Sequence, residues 1–291
     1  MPNFFARAGA LALVACVVPF GHVAAQCRPA QNSSEAKLLA FYSVPIVFST
    51  IEAPAVSRAG AISFAGELSP VLTANPSIER ASECYQASSN QHSRLTSFFG
   101  RPRLTIGLPM GLALETSYIP PVTVGDAHPH LFGAALSETV ALPSVGPVRA
   151  LALMIRAHGT AGSVHGPITC GASALQVTDP DGACWGTHRS DDVFHPNILG
   201  VEGVLGAWTP GGMIGFFAGA GATWLRPRFQ VDFTSLSGAH DMTQVEVDLT
   251  RFAALGGVTL RLPRAFALSA ELYSAPTDGT IWRLAGSYRL R

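Results

Sequence analysis

The chain contains few charged residues. Lysine, arginine, aspartate and glutamate together make up 13% of its 291 residues, against roughly 25% in an average soluble protein. Hydrophobic residues make up 48%. This balance excludes an intrinsically disordered chain, which combines low hydrophobicity with high charge, and it argues against an ordinary cytosolic enzyme. The 19 basic and 19 acidic residues cancel, so the composition predicts no nucleic-acid partner.

Long hydrophobic runs are also scarce. The most apolar part of the chain beyond the N-terminus, residues 213–225, contains three glycines and ends against Arg226. A helix needs roughly 18–20 apolar residues to cross a bilayer, and this run is shorter. Helical periodicity is hard to find elsewhere. The sequence therefore predicts no membrane-spanning helix after its N-terminal region.

The motifs of common catalytic and cofactor sites are missing too. The chain has no glycine-rich phosphate loop after a strand, no Gly-x-Ser-x-Gly turn, and no Cys-x-x-Cys or Cys/His zinc spacing. Residues 179–182 (DPDG) share only part of a calcium-loop pattern and are typical of a turn. We therefore predict no cofactor, no metal and no catalytic residues.

Residues 1–25 have the pattern of a secretory signal peptide. Arg7 supplies the positive charge, residues 8–20 form the apolar core, and the small residues 23–25 precede the cleavage site. A membrane anchor is the alternative, but the apolar run is short for it. Lipid attachment at Cys16 is another, because residues 13–16 (LVAC) are similar to a bacterial lipobox. The apolar run continues past Cys16, which favours cleavage after Ala25.

Removal of this segment leaves Cys27, Cys84, Cys170 and Cys184. An even number of cysteines in an exported chain indicates disulfides. Four cysteines allow three pairings, and Cys170 with Cys184 is the obvious pair because they enclose a short segment. A bridge around a loop of about 15 residues stabilises a fold by on the order of 3 kcal/mol in the chain-entropy model.

Apolar and polar residues alternate through most of the remaining chain, which is the pattern of β-strands. It is clearest at the C-terminus, where Trp282, Leu284 and Tyr288 alternate with Arg283 and Arg289. The weakest candidate is 132–142, where an acidic residue falls on the apolar face. Ten candidate strands result: 62–68, 103–108, 112–118, 132–142, 151–158, 199–205, 225–233, 244–262, 266–273 and 280–291.

The alternation changes phase once, and the links between strands differ in length. Between Leu249 and Phe252 the apolar face shifts by one residue, which predicts a β-bulge. Tight turns are expected at residues 109–111, 143–147, 210–212 and 263–265. Longer links are expected at 73–100, 120–130, 159–196, 234–243 and 274–279. Short and long links alternate along the chain.

Alternation alone fits a soluble β-sandwich as well as a membrane barrel. Three features favour the barrel. The polar faces carry single charges of both signs among small residues, the apolar faces are rich in large side chains with aromatics at their ends, and short turns alternate with long loops. We predict an all-β protein: an antiparallel up-and-down transmembrane barrel of about ten strands, with eight to twelve possible, short periplasmic turns and longer extracellular loops.

From residue 59 to residue 291 the chain resembles bacterial outer-membrane β-barrel proteins. The most specific part is the last strand, TIWRLAGSYRLR (280–291), which is similar to the strand by which the assembly machinery recognises such proteins. It departs from the pattern by ending in Arg291 rather than an aromatic residue. The resemblance implies a location in the cell outer membrane, contact with its lipid, the barrel-assembly machinery as a partner, and porin-like transport of an unknown small molecule.

Residues 26–58 form a separate N-terminal segment, periplasmic or inside the barrel. Barrels of the fatty-acid transporter family carry a plug in the lumen, and residues 36–50 (AKLLAFYSVPIVFST) could be such a plug, an eleventh strand or a short helix. Cys84 falls in a long outer loop. If Cys27 pairs with Cys84, the N-terminal segment must rise through or alongside the barrel.

The polar faces of the candidate strands supply the predicted lumen-lining charges. They pair across a narrow lumen or line a selective passage. The residues are Glu67, Arg103, Glu115, Arg156, Glu202, Arg226, Arg228, Asp232, Glu246, Asp248, Arg251, Arg261, Glu271, Arg283 and Arg289.

Three functions remain open from the sequence. The first is an outer-membrane barrel that acts as a passive pore, a small-molecule transporter or a structural barrel. The second is an outer-membrane enzyme with an Asp/His site at the extracellular rim, for which His240 with Asp241, or His195 with Asp191 or Asp192, supplies a general base and its partner. The third is a secreted soluble β-sandwich that binds a ligand. The sequence does not by itself predict an enzyme.

Overall fold

The computed structural model describes residues 27–79, 83–143 and 149–290. The predicted signal peptide, most of the turn at 143–147 and Arg291 lie outside the described residues. None of the helices in the described part of the chain is long and apolar enough to cross a membrane.

Ten long antiparallel strands form a closed barrel. Each strand pairs with its neighbours in the chain order of the barrel, and β1 also pairs with β10, from Ser63 opposite Arg289 to Leu68 opposite Leu284. This confirms the predicted fold class. The strands are β1 Ile62–Pro70, β2 Phe98–Gly107, β3 Leu112–Ile119, β4 His128–Leu142, β5 Arg149–Gly166, β6 Ile198–Trp208, β7 Ile214–Leu225, β8 Leu249–Arg261, β9 Phe266–Ala275 and β10 Gly279–Arg289.

The outer surface of the barrel is apolar. Along β10, Trp282 and Leu284 are 44% and 46% exposed, whereas Arg283 between them is 1% exposed. Large apolar side chains project outward from the other strands in the same way, and they include Phe64, Leu104, Phe132, Ile155, Leu205, Phe216, Phe252 and Leu272. A band of this kind faces lipid in membrane barrels, whose closed sheet also leaves no unpaired backbone edge.

Above this band the apolar face turns inward. Leu225, Phe229 and Val231 are buried, whereas Trp224, which precedes Leu225 in the chain, faces outward. Outside the membrane the surface meets water, so the buried face there is the apolar one.

This inversion corrects two predictions. The seventh barrel strand is Ile214–Leu225 and not 225–233, which lies in the outer loops. The predicted bulge at 249–252 is wrong, since β8 pairs with β7 in unbroken register from Leu249 to Leu260. Gly215, Gly219 and Gly221 of β7 lie against neighbouring backbone or ring atoms, so the glycines mark close packing inside a strand.

Short turns connect the strands at one end and longer loops at the other. The outer loops 71–97, 167–197 and 226–248 carry helix α2 (Pro76–Glu79) and the short strands Asp192–His195, Arg228–Gln230, Phe233–Thr234, His240–Asp241 and Gln244–Glu246. The disulfide Cys170–Cys184 closes part of one loop. The last outer connection, 276–278, is itself short, so the alternation of short and long links is not strict.

The N-terminal segment enters the barrel from the outer end. Cys27 forms a disulfide with Cys84 of the first outer loop and a backbone bridge with Val245. Helix α1 (Ser34–Ser43) follows, capped by the Ser33 hydroxyl, which accepts from the Ala36 amide at 3.1 Å. A 3-10 helix, Val44–Ile46, and an extended run then descend through the interior before β1 begins. We call residues 34–54 the plug.

Candidate functional site inside the barrel

A layer of charges, all but one of them buried, surrounds the middle of the plug, and we call it the charged belt. Its side chains come from β1, β2, β3, β5, β6, β9 and β10 and alternate with the lipid-facing residues. Positive and negative members are equal in number, so the belt is neutral. They are Glu67, Arg101, Arg103, Glu115, Arg156, Glu202, Glu271 and Arg283.

Glu67 is the most densely paired carboxylate in the belt. Arg101 donates to both of its oxygens, at 2.9 and 3.0 Å, and Arg103 donates through Nε at 2.7 Å. Arg283 Nε lies 3.5 Å from the same carboxylate. Charges buried this deeply cost several kcal/mol each unless they are paired and hydrogen-bonded, and here each guanidinium meets at least one carboxylate.

The pairing continues around the barrel wall. Arg103 also donates to Glu115 at 2.7 Å, Arg156 bridges Glu115 and Glu202 at 3.0 Å each, and Arg283 lies 3.4 Å from Glu271. The chain of ion pairs therefore links strands that are not neighbours in the sheet.

The same arginines hold the plug by its backbone. Arg101 donates to the carbonyls of Ile46 and Val47 at 3.0 and 2.6 Å, and Arg103 donates to that of Ser49 at 2.8 Å. Arg156 binds the carbonyl of Phe48. Buried backbone without helical or sheet bonding requires such partners, so the belt satisfies a segment that has no regular structure.

Carboxylates and hydroxyls bind the backbone amides lower in the plug. Thr50 donates its amide to Glu202 and Ala53 donates its amide to the Thr259 hydroxyl, both at 2.8 Å. Near the periplasmic end, the Trp208 indole donates to the carbonyl of Pro54 at 2.9 Å. The plug is thus bonded along its length to opposite walls of the barrel.

Phe48 occupies the centre of the belt and is fully buried. The guanidinium carbons of Arg103, Arg101 and Arg156 lie 4.3, 5.0 and 5.0 Å from its ring centroid. These are cation–π distances. The ring also lies 3.4 Å from the position that a Cβ would take at Gly133 of β4, so the wall has a glycine directly beside the ring.

The structure places part of the predicted lumen-lining set elsewhere. Inside the barrel, as members of the belt, lie Glu67, Arg103, Glu115, Arg156, Glu202, Glu271 and Arg283. Five others lie in the outer loop 226–248, where polar side chains alternate with apolar ones because one face of the loop meets water and not because the other faces the lumen. They are Arg226, Arg228, Asp232, Glu246 and Asp248. Arg226 and Asp248 are mostly exposed.

The remaining predicted charges lie at strand ends. Arg251, at the outer end of β8, pairs with Asp278 at 2.9 Å. Burial raises the pKa of Asp278, and the Arg251 charge offsets part of that rise. Arg261, at the periplasmic end, places its guanidinium 3.5 Å from the Trp208 ring centroid. Arg289 is exposed at the end of β10 and does not line the lumen.

Sequence reasoning missed two interior side chains, and it also missed the plug carbonyls that the belt arginines bind. Arg101 lies two residues before Arg103 on the same face, and it was overlooked because the predicted strand began too late. His158 lies beside Arg156 on the inward face, with its Nε2 4.0 Å from Glu202. The carbonyls of the plug carry no signal in the sequence.

The outer-rim histidines do not form the predicted pairs. His240 contacts Asp232 at 2.7 Å, and Asp241 instead accepts from Thr243. His195 contacts the carbonyl of Gly162 at 2.8 Å. The side chains of His240 and Asp232 are 44% and 45% exposed.

Asp192 connects parts of the outer loops through its hydrogen bonds. It is buried and accepts from the amide and hydroxyl of Thr169, the Ser190 hydroxyl and the Asp232 amide at 2.6–2.9 Å. Burial raises its pKa, and the hydrogen bonds oppose that rise. Within residues 27–79, 83–143 and 149–290, no group of three or more metal-binding side chains occurs.

An apolar cavity lies between the plug and the outer half of the wall, and we call it the helix cavity. It has a volume of about 130 Å³ and is lined by α1, the outer ends of β2 to β5 and residues of the outer loops. Leu39, Ile119, Val164 and Phe194 are typical of its lining. Burial raises the pKa of Tyr85, another lining residue, to about 12.

The outer surface decides the class. A closed antiparallel barrel that is apolar outside and charged inside is built for lipid around it and cannot be a water-soluble sandwich. The protein is an outer-membrane β-barrel. Its location in the outer membrane follows from the same architecture.

No family model and no curated protein matches this chain. Among solved structures, the crystal structure of Ail, the attachment invasion locus protein of Yersinia pestis, is similar at 10% identity, with 80% of this chain and 100% of that chain covered and a TM-score of 0.32. The copper transporter OprC is similar at 11% identity over 81% of this chain and 42% of its own, with a TM-score of 0.27.

Proposed function

We propose that this protein is a small-molecule transporter of the outer membrane, and that its plug is the gate. The observation that carries the proposal is the charged belt, whose arginines bind the backbone of the plug. Phe48, Arg103 and Arg283 are at most 1% exposed, so the lumen at this level is filled by the plug. A permanently open passive pore does not fit that filling.

The chemistry of the belt supports movement of the plug. A barrel that only needed a solid interior would be at least as stable with well-packed apolar side chains in place of buried ion pairs. If the plug withdraws, water can hydrate the same arginines and glutamates, and the lumen becomes a polar passage with charges of both signs. An apolar interior would offer no such passage.

Two covalent connections restrain the plug and define the experiment. The disulfide Cys27–Cys84 fixes its outer end, and the exposed residues Ala59 and Gly60 join its inner end to β1. A protease site inserted between Ala59 and Gly60 lies in an exposed turn and keeps Gly60 itself, whose φ of 79° and amide bond to the Gly107 carbonyl at 2.8 Å belong to that turn. Cleavage together with reduction frees both ends.

Single-channel conductance in a planar bilayer tests the gate. We expect low conductance from the uncleaved barrel and from the cleaved, oxidised barrel. After cleavage and reduction we expect stepwise openings, and mass spectrometry monitors the loss of the plug. The same insertion after Gly238, an exposed outer-loop residue, is the matched control and should stay closed under reductant. A barrel that remains folded without its plug yet does not conduct would contradict the proposal and favour a structural role. The proposal would also be contradicted if the cleaved and reduced plug stayed in the barrel even in moderate urea.

A further inference from the structure

The helix cavity lies on the outer side of the charged belt, and α1 of the plug forms one of its walls. Its lining is almost wholly aliphatic and aromatic, with Leu38 and Leu39 from α1 facing Ile119 and Val164 of the wall. It reaches the surface beside Phe98 and Val124, which are 50% and 44% exposed. An apolar space with a route to the surface is the usual form of a small-molecule site.

The size of the cavity limits the ligand. At about 130 Å³ it is close to the roughly 150 Å³ of apolar cavities that admit benzene. It is smaller than the pockets of roughly 300–1,000 Å³ that hold drug-sized molecules. The occupant is therefore a single ring or a short branched hydrocarbon.

The charge of the lining limits the ligand further. Glu35 is the one charged side chain among the described residues that line the cavity, and it is 3% exposed. Its Oε1 accepts from the backbone amides of Glu83 and Cys84. Its Oε2 is buried and has no hydrogen-bond partner in the described part of the chain. A buried acceptor without a donor favours a ligand that brings one, and no arginine, lysine or histidine lines the cavity to balance an anion.

We propose that the helix cavity binds a small uncharged molecule of about one ring that carries a hydroxyl or similar donor, and that it rejects anions. The ring packs against Leu39, Ile119 and Phe194, and the donor serves the free oxygen of Glu35. This site stands whether or not anything passes through the barrel.

Fluorine NMR with the full-length barrel in lipid nanodiscs tests the proposal with a matched pair of probes. We expect saturable binding of 4-fluorobenzyl alcohol and at least tenfold weaker binding of 4-fluorobenzoate. Glu35→Gln keeps the acceptor for the Glu83 and Cys84 amides but removes the charge, so the difference between the two probes should shrink several-fold. Ala127→Phe and Val164→Phe each fill the cavity and should abolish binding of the alcohol.

The controls separate the site from lipid partitioning and from folding. Slower gel migration after heating establishes for each variant that the barrel is assembled. Equal binding of the alcohol to the filled variants would show that the probe enters the lipid and would overturn the site. Equal affinity for alcohol and carboxylate in the unmodified protein would overturn the rejection of anions. Conductance plays no part in these measurements, so a failure of the proposed gate leaves them unaffected.

Discussion

At the residue scale, the belt arginines have two functions at once. Arg103 donates to Glu67 and Glu115 and also to the carbonyl of Ser49. A guanidinium has five N–H donors in a planar arrangement, so one side chain can bind two carboxylates and a carbonyl. A lysine at the same position would place three donors on a single nitrogen and could not bridge these groups. Pairing and plug attachment therefore depend on arginine.

Glu67 is the residue at which the belt is most sensitive to substitution. Glu67→Gln removes the charge that compensates Arg101, Arg103 and Arg283 while it preserves the size of the side chain. Removal of one partner from a buried ion pair costs about 3–5 kcal/mol, because the remaining charge stays buried. We expect a loss of this size in the free energy of unfolding, measured by urea titration in lipid vesicles.

Asp248→Asn is the matched control for Glu67→Gln. It removes a carboxylate that is 60% exposed and lies 3.9 and 3.7 Å from Arg226 and Arg228. Exposed pairs contribute about 0–1 kcal/mol, so stability should hardly change. Equal effects of the two substitutions would mean that the belt is hydrated and that its burial does not set its energetics.

At the scale of elements, the surrounding medium decides which face of a strand is apolar. In β10 the apolar residues Trp282 and Leu284 face outward, whereas in the outer loops Phe229 and Val245 face inward. The alternation in the sequence separates an apolar face from a polar face in both regions, but it does not show which of the two faces points outward. This is why the strand at 225–233 was wrong and why the apparent bulge near Leu249 was a change of environment.

The plug shows the limit of prediction from sequence. For the segment 36–50 the sequence allows a plug, an eleventh strand or a short helix. Its path could not be derived, because Val47, Phe48 and Ser49 are held through backbone atoms by side chains far away in the chain. The belt carboxylates and most of its arginines were predicted because strand periodicity alone places them inward. Their partners depend on closure of the barrel.

The disulfide Cys27–Cys84 should control the stability of α1 more than that of the barrel. Its cysteines are 57 residues apart, and closure of a loop of that length corresponds to about 4 kcal/mol in the chain-entropy model. In the double variant Cys27→Ser, Cys84→Ser we expect the α1 amides to exchange with deuterium at least tenfold faster. The amides of β7 and β8 should be unchanged.

The second disulfide supplies the control for that experiment. Cys170 and Cys184 enclose a segment confined to the outer loop 167–197, so the double variant Cys170→Ser, Cys184→Ser should leave exchange in α1 as it was. If α1 is equally protected without Cys27–Cys84, the belt alone holds the plug. The disulfide would then be irrelevant to the gate.

At the scale of the whole molecule, the barrel reverses the arrangement of a soluble protein. Its charges are few and balanced, and the belt holds eight of them inside, where they neutralise one another. The large apolar side chains lie outside, where lipid replaces the role of a core. The plug then fills an interior that ten strands leave too wide for the wall side chains alone.

A charge placed on this outer surface should cost free energy according to its depth. Leu284 lies at the middle of β10, and Tyr288 lies on the same face near the periplasmic end. An arginine at the midplane of a membrane barrel costs about 2–4 kcal/mol, against about 0–1 kcal/mol near the interface. We expect Leu284→Arg to reduce the free energy of unfolding in lipid vesicles by the larger amount and Tyr288→Arg by the smaller. Equal losses would mean that the two positions of β10 do not differ in depth within a bilayer. If both variants stayed folded and monodisperse without detergent, the assignment to a membrane would be wrong.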